Sequence, residues 1–213
     1  MVTRPDRTGT CPDCVAAEAI AGAAPMSAAE ILRRITAALD QADIEYMLTG
    51  SFASAYHGVP RSTQDIDFVI NATEEKLKTL VQALPETQYY VDLTGALEAH
   101  RRQSMFNLID LESGWKIDFI ICKSRAFSEE EFRRRRRAML HGANIFVASA
   151  EDVIVSKLEW AKLGRSQRQI EDAAAILRVR VGELDREYLE KWIHGLELSK
   201  QWDDAQHSAE IKS

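Results

Sequence analysis

The segment Asp65-Ile66-Asp67-Phe68-Val69-Ile70 constrains the fold more than any other stretch of this 213-residue chain. Side chains alternate across a β-strand, so Ile66, Phe68 and Ile70 share one face while Asp65 and Asp67 share the other. The first face belongs to a core. The second holds two carboxylates that repel each other, and a bound cation is the usual remedy; the plain alternative is an acidic strand face in solvent. A second run, Lys116-Ile117-Asp118-Phe119-Ile120-Ile121, carries one acid in almost continuous apolar surroundings. A carboxylate so placed needs a partner. Lys116, two residues back on the same strand face, can provide it. Laid beside the first strand instead, Asp118 would join Asp65 and Asp67 in a site for one or two magnesium ions.

The rest of the pattern alternates between helix and strand. Ser27-Ala-Ala-Glu30 is a capping box ahead of a helix whose stripe is Ile31, Leu32, Ile35 and Leu39. Glu45 to Thr49 reads as a strand, and Gly50-Ser51 turns it into a short helix stopped by Gly58 and Pro60. Thr73 caps a helix running to about Leu84. Residues 88–93 read as a strand, 94–102 as a helical turn, and 105–111 with 115–122 as a hairpin. Ser128 and Glu131 form a further capping box, with Arg133 to Arg137 in the later turns of that helix. After a strand at 144–147, helices are expected at about 150–163, 167–179 and 185–195. The expected fold class is α/β (α+β), a small mixed β-sheet with flanking helices plus a C-terminal helical part. The corresponding organisation is a flexible tail over 1–25, a catalytic core over 26–148, a helical part over 149–200 and a frayed tail over 201–213.

Charge and cysteine content narrow the function classes. A formal net charge of -6 argues against a general nucleic-acid coat but leaves room for a local basic patch. The run Arg133 to Arg137 is such a patch in composition; five consecutive residues on a helix point in all directions, which favours a solvated, dipole-matched helix over an RNA-binding face. No stretch approaches a membrane span and no secretory pattern opens the chain, so a soluble, cytoplasmic protein is expected. Three cysteines are too few for a disulfide framework. Cys11 and Cys14 make at most half a zinc site, and Cys122 falls in a predicted core strand.

Two further features bear on phosphate chemistry. Gly50-Ser51 lies where a strand enters a helix, so backbone N–H groups and the Ser51 hydroxyl are available to phosphate oxygens; an ordinary N-capped turn has the same sequence. Lys157 falls in the apolar sector of its helix, between Ile154, Ala161, Val153 and Trp160, where it either meets an anion or extends its ammonium to water. Arg168 and Asp172, four apart on the next helix, are placed to pair with each other. The four tryptophans suggest core or cover.

Gly50-Ser51, the helical spacer, Asp65-Ile66-Asp67 and the later Asp118 together resemble the nucleotidyltransferase superfamily with the DNA polymerase β-like fold. Across residues 27–177 the chain is similar to AbiEii-type toxins and related bacterial nucleotidyltransferases, through Arg61-Ser62-Thr63, Lys116-Ile117-Asp118 and Glu151-Asp152-Val153-Ile154-Val155-Ser156-Lys157-Leu158. Those proteins continue with Arg and then Lys-Asp; here Arg165 and Arg168 precede Glu171-Asp172, with glutamate in the lysine position. The resemblance implies a transferase in which Asp65, Asp67 and Asp118 are catalytic and hold two Mg²⁺ ions. Gly50, Ser51, Arg61, Lys157, Arg168 and Asp172 would then serve the nucleotide and its phosphates. It further implies a nucleoside triphosphate such as ATP as donor, with an RNA (tRNA), protein or small-molecule acceptor. A toxin–antitoxin setting would add an antitoxin partner, and a catalytically idle nucleotide- or partner-binding relative is the alternative of a different class.

Overall fold

The computed structural model describes residues 27–211; Cys11, Cys14 and the N-terminal stretch expected as a tail lie outside it. Helix α1 (Ala28–Gln41) begins at the Ser27 cap, whose side chain accepts from the Glu30 N–H, and it buries the expected stripe. Strand β1 (Glu45–Thr49) runs straight into α2 (Gly50–His57), and β2 (Asp65–Asn71) follows. Next come α3 (Glu74–Ala83), β3 (Tyr89–Val91), α4 (Leu93–Arg102), β4 (Met105–Asp110) and β5 (Lys116–Ile121). Then α5 (Ala126–Arg133), β6 (Arg136–Leu140) and β7 (Ala143–Val147) lead to the helices α6 (Ala150–Gly164), α7 (Gln167–Val179), α8 (Arg186–Gly195) and α9 (Ser199–Ile211).

The strands form one seven-stranded mixed sheet in the order β3-β4-β5-β2-β1-β7-β6. Its middle is what matters here. β2 lies between β1, antiparallel, and β5, parallel, with Asp65 opposite Lys116, Asp67 opposite Asp118 and Phe68 opposite Phe119. On the core face Phe68 stacks on Phe119 at 6.2 Å between centroids, Phe106 of β4 packs on Phe119 at 5.2 Å, and Tyr46 of β1 meets Phe68 edge-on at 5.7 Å. Each such pair contributes about 0.5–1.5 kcal/mol beyond its buried area. Because a slip by one residue would send every side chain to the other face, this aromatic row fixes which acids stand side by side on the opposite face.

Four sequence expectations are corrected. The Ser128–Glu131 capping box does not form: α5 starts at Ala126, and both residues lie buried within it. Ser128 instead accepts from Arg125 Nε, and Glu131 accepts from Ser156 Oγ at 2.9 Å. The arginine run does not continue the helix either. Arg136 and Arg137 belong to β6, which pairs antiparallel with β7 across His141-Gly142, both at positive φ as a tight hairpin turn requires. Cross-strand pairing and the turn outweigh local helix propensity. Finally, the segment expected to fray after Lys200 is α9, which packs on α7 with Ala205 fully buried and Trp202 against the core. The 94–102 stretch is a full helix rather than one turn, because Asp92 caps it by accepting from the N–H groups of Thr94 and Gly95.

Among the described residues no helix is long and apolar enough to cross a membrane.

Candidate functional site

The turn from β1 into α2 is built around one conformation. Gly50 has φ +61, and a Cβ added there would fall 2.0 Å from Asp67 Oδ2. Only glycine supplies both the left-handed backbone and the space. The Ser51 N–H then points back at Asp67, donating to Oδ2 at 3.4 Å. Thus the first residues of α2 sit directly on the acid of the neighbouring strand.

A cleft of about 400 Å³ opens over this point. It gathers Gly50, Ser51, Arg61, Asp65, Asp67, Asp118, Lys157 and Arg168, which come from the β1–α2 turn, the loop before β2, two adjacent strands and two C-terminal helices. Asp172 lies behind the wall. It does not pair with Arg168. Arg61 donates to it through Nε at 3.0 Å and Nη2 at 3.1 Å, and Lys157 Nζ donates to its Oδ2 at 2.8 Å. Arg61 Nη2 also donates to Ser51 Oγ. Two cations therefore share one carboxylate, and the cluster keeps a net positive charge facing the cleft. Burial pushes the Asp172 carboxyl up, but the Arg61 and Lys157 hydrogen bonds outweigh it and hold it below the usual range. Burial lowers Lys157 despite Asp172 beside it. Arg168 is exposed at the cleft, and among the described residues it forms no ion pair. Glu171, in the lysine position of the resemblance, is exposed and does not line the cleft, so its negative charge stays off this cluster.

The acids are arranged by register. Asp118 is buried, and its Oδ2 accepts from Lys116 Nζ at 2.8 Å, so the simple pairing visible in the sequence does form. Its other oxygen, Oδ1, is buried with no hydrogen-bond partner. Asp118 in turn raises Lys116 by its hydrogen bond. Burial is the main cause that pushes Asp67 above the usual carboxylate range; the Ser51 N–H opposes this, while the charges of Asp118 and Asp65 add to it. Asp65 is exposed at the mouth. Among the described residues no three His, Cys, Asp or Glu side chains are gathered as a ready metal cage. The structure thus brings Asp67 and Asp118 together as a pair and leaves Asp65 two residues along the same face. An orphaned buried oxygen on Asp118, its carboxylate neighbour Asp67 and an oxygen-only donor set fit a hard divalent cation such as Mg²⁺.

The fold is that of the nucleotidyltransferases, with a mixed sheet flanked by helices. In particular, the chain is similar to the antibiotic-resistance factor ANT(2'')-Ia, at 14% sequence identity and a TM-score of 0.53, covering 84% of this chain and 96% of that one. It is similar as well to an antigenic nucleotidyltransferase-like protein from Paracoccidioides brasiliensis, at 16% identity and a TM-score of 0.51, covering 88% and 95%. The sequence matches no known family profile and no curated protein sequence.

Sequence reasoning did not place Ser156, Trp160 or Gln169 at the cleft, yet all three line it. On α6, Trp160 stands three residues after Lys157 and four after Ser156, at helical spacing. That spacing was a usable signal once Lys157 was suspected.

Proposed function

We propose that the protein is a magnesium-dependent nucleotidyltransferase that moves a nucleoside monophosphate from a nucleoside triphosphate to an acceptor hydroxyl. The observation that carries this reading is the register of β2 and β5, which sets Asp67 beside Asp118, with an orphaned carboxylate oxygen, under the glycine-lined start of α2. Asp67 and Asp118, with Asp65 at the mouth, would hold the metal, which when bound supplies charge neutralisation on the triphosphate and Lewis-acid activation. Ser51 and the N–H groups at the start of α2 contact phosphate oxygens, and Arg61 and Lys157 provide the fixed positive charge. Asp172 positions both cations and touches no substrate. Asp118 accepts the proton of the acceptor hydroxyl as its oxygen attacks the α-phosphorus in line, and the bond to the departing pyrophosphate breaks.

The acceptor follows from two kinds of support. The Arg61-x-Thr63, Lys116-x-Asp118 and Glu151–Leu158 pattern favours a toxin-like enzyme acting on tRNA or protein and controlled by an antitoxin. Similarity in fold to an antibiotic-resistance factor favours a small hydroxylated molecule as the second reading. The test is transfer from α-labelled nucleoside triphosphates with Mg²⁺ to total RNA, lysate protein and an aminoglycoside panel. Label should enter one acceptor class with wild-type protein, vanish with chelator, and be lost on Asp67→Ala with an unchanged circular dichroism spectrum. No incorporation into any class overturns the enzymatic reading and leaves the idle binding relative.

A further inference from the structure

Of the four tryptophans, three have structural roles. Trp192 is buried against Phe127 at 5.1 Å, Trp202 packs on the core, and Trp115 meets Phe52 at 5.9 Å. Trp160 differs. It is 50% exposed, and among the described residues no other ring packs on it. Leaving so large an apolar surface in water forgoes burial that an adjacent core could have offered.

Its position explains what the exposure is for. Trp160 stands three residues after Lys157 on α6, so the two lie on neighbouring turns of one helix face. It lines both the cleft over the acids and a side pocket that adjoins it. Around it are Met105, 41% exposed, and Ile120 in the cleft, with Leu163 in the side pocket. A positive cluster and two carboxylates therefore meet an apolar wall within one cavity. A ligand that fills both has an anionic head and a flat, apolar body, which describes a nucleotide more closely than it describes a phosphate, a peptide or a sugar. The side pocket also contains hydrogen-bonding groups where such a ring would end: Ser156, whose hydroxyl donates to Glu131, and the Arg125–Glu159 ion pair.

We propose that Trp160 is the surface on which the base of the nucleoside triphosphate stacks, with Ser156 at the mouth of the side pocket facing the polar edge of that base. The assignment rests on the nucleotidyltransferase reading and names a base-binding subsite within it. Stacking on an indole tolerates any base, so selectivity among bases falls to the Ser156 end. Burial pushes the Glu131 carboxyl up to about 8, which keeps it protonated at neutral pH and lets it accept from Ser156 without placing a negative charge at the polar edge of the base.

The test separates the base from the phosphates. Binding of inorganic triphosphate and of the four common nucleoside triphosphates is measured by titration calorimetry, with Mg²⁺ and no acceptor, for wild type, Trp160→Ala and Trp160→Phe. Wild type should bind at least one nucleotide about tenfold or more tighter than inorganic triphosphate. Trp160→Ala should erase that advantage while leaving inorganic triphosphate binding unchanged, and Trp160→Phe should retain most of it. Tryptophan fluorescence should fall on adding nucleotide but not inorganic triphosphate, and the fall should be absent in Trp160→Phe. An undiminished nucleotide advantage in Trp160→Ala overturns the subsite while the nucleotidyltransferase reading stands. If wild type binds neither inorganic triphosphate nor any nucleotide, the nucleotidyltransferase reading fails and the subsite falls with it.

Discussion

Asp67 is held against its own preference. It lies in a poorly hydrated position, beside a second carboxylate, with a single long hydrogen bond from Ser51 in partial compensation. A carboxyl raised by burial costs stability in its charged form at neutral pH, since the unfolded chain ionises it more easily. Asp67→Asn should therefore raise the melting temperature measured without added divalent cation, and the proposed transfer should be lost in the same variant. A melting temperature unchanged or lowered in that variant would show that the acid pair is already relieved, through Lys116 or otherwise. Gly50 is the other half of the arrangement: it is the residue that lets the helix start sit on Asp67.

At the scale of elements, α5 and α6 are joined through groups that do not resemble a hydrophobic seam. Arg134 donates to Glu151 and Asp152 near the start of α6 and lies 3.7 Å over the Tyr188 ring of α8, while Glu131 bonds Ser156. Glu131 is raised to about 8, first by burial and then by Asp152. Its folded form binds a proton that the unfolded chain releases near the ordinary glutamate value, so its favourable contribution is complete at low pH. It is lost as pH rises towards 8, by about 1.4 kcal/mol for each pH unit crossed as an upper bound. Thermal melts of Glu131→Gln and wild type should diverge between pH 5 and 8, wild type losing more stability as the pH rises. Parallel profiles would place the titration elsewhere. This is also where the sequence misled. Ser128-x-x-Glu131 satisfies the letter of a capping box, yet the helix has already begun at Ala126, Ser128 accepts from Arg125 three residues back, and Glu131 is recruited by Ser156 from far along the chain, which no local spacing can report. The β2 and β5 acids, by contrast, were legible because alternation is a local property and the surrounding Ile and Phe residues declare which face is core. Arg168–Asp172 failed for the same reason as the capping box: a four-residue spacing permits a pair, but Arg61, over a hundred positions away in the chain, reaches the carboxylate instead.

For the whole molecule, the decisive fact is that β2 and β5 are neighbours in space without being neighbours in sequence. Everything from Ala72 to Trp115, including α3, α4 and two strands of the sheet's far side, is threaded before Asp118 can stand beside Asp67. Lys157 and Asp172 are added later still. Closing such long loops delays contacts that local helices do not wait for. In refolding from denaturant, helical circular dichroism should recover ahead of nucleotide binding, and simultaneous recovery of the two signals would show that the site forms with the first structure. A chain interrupted between residues 67 and 118 possesses Asp65 and Asp67 without the buried carboxylate that stands beside them. During synthesis, then, the acid pair cannot assemble until β5 has followed β2 out of the ribosome, a delay written into the order of the strands.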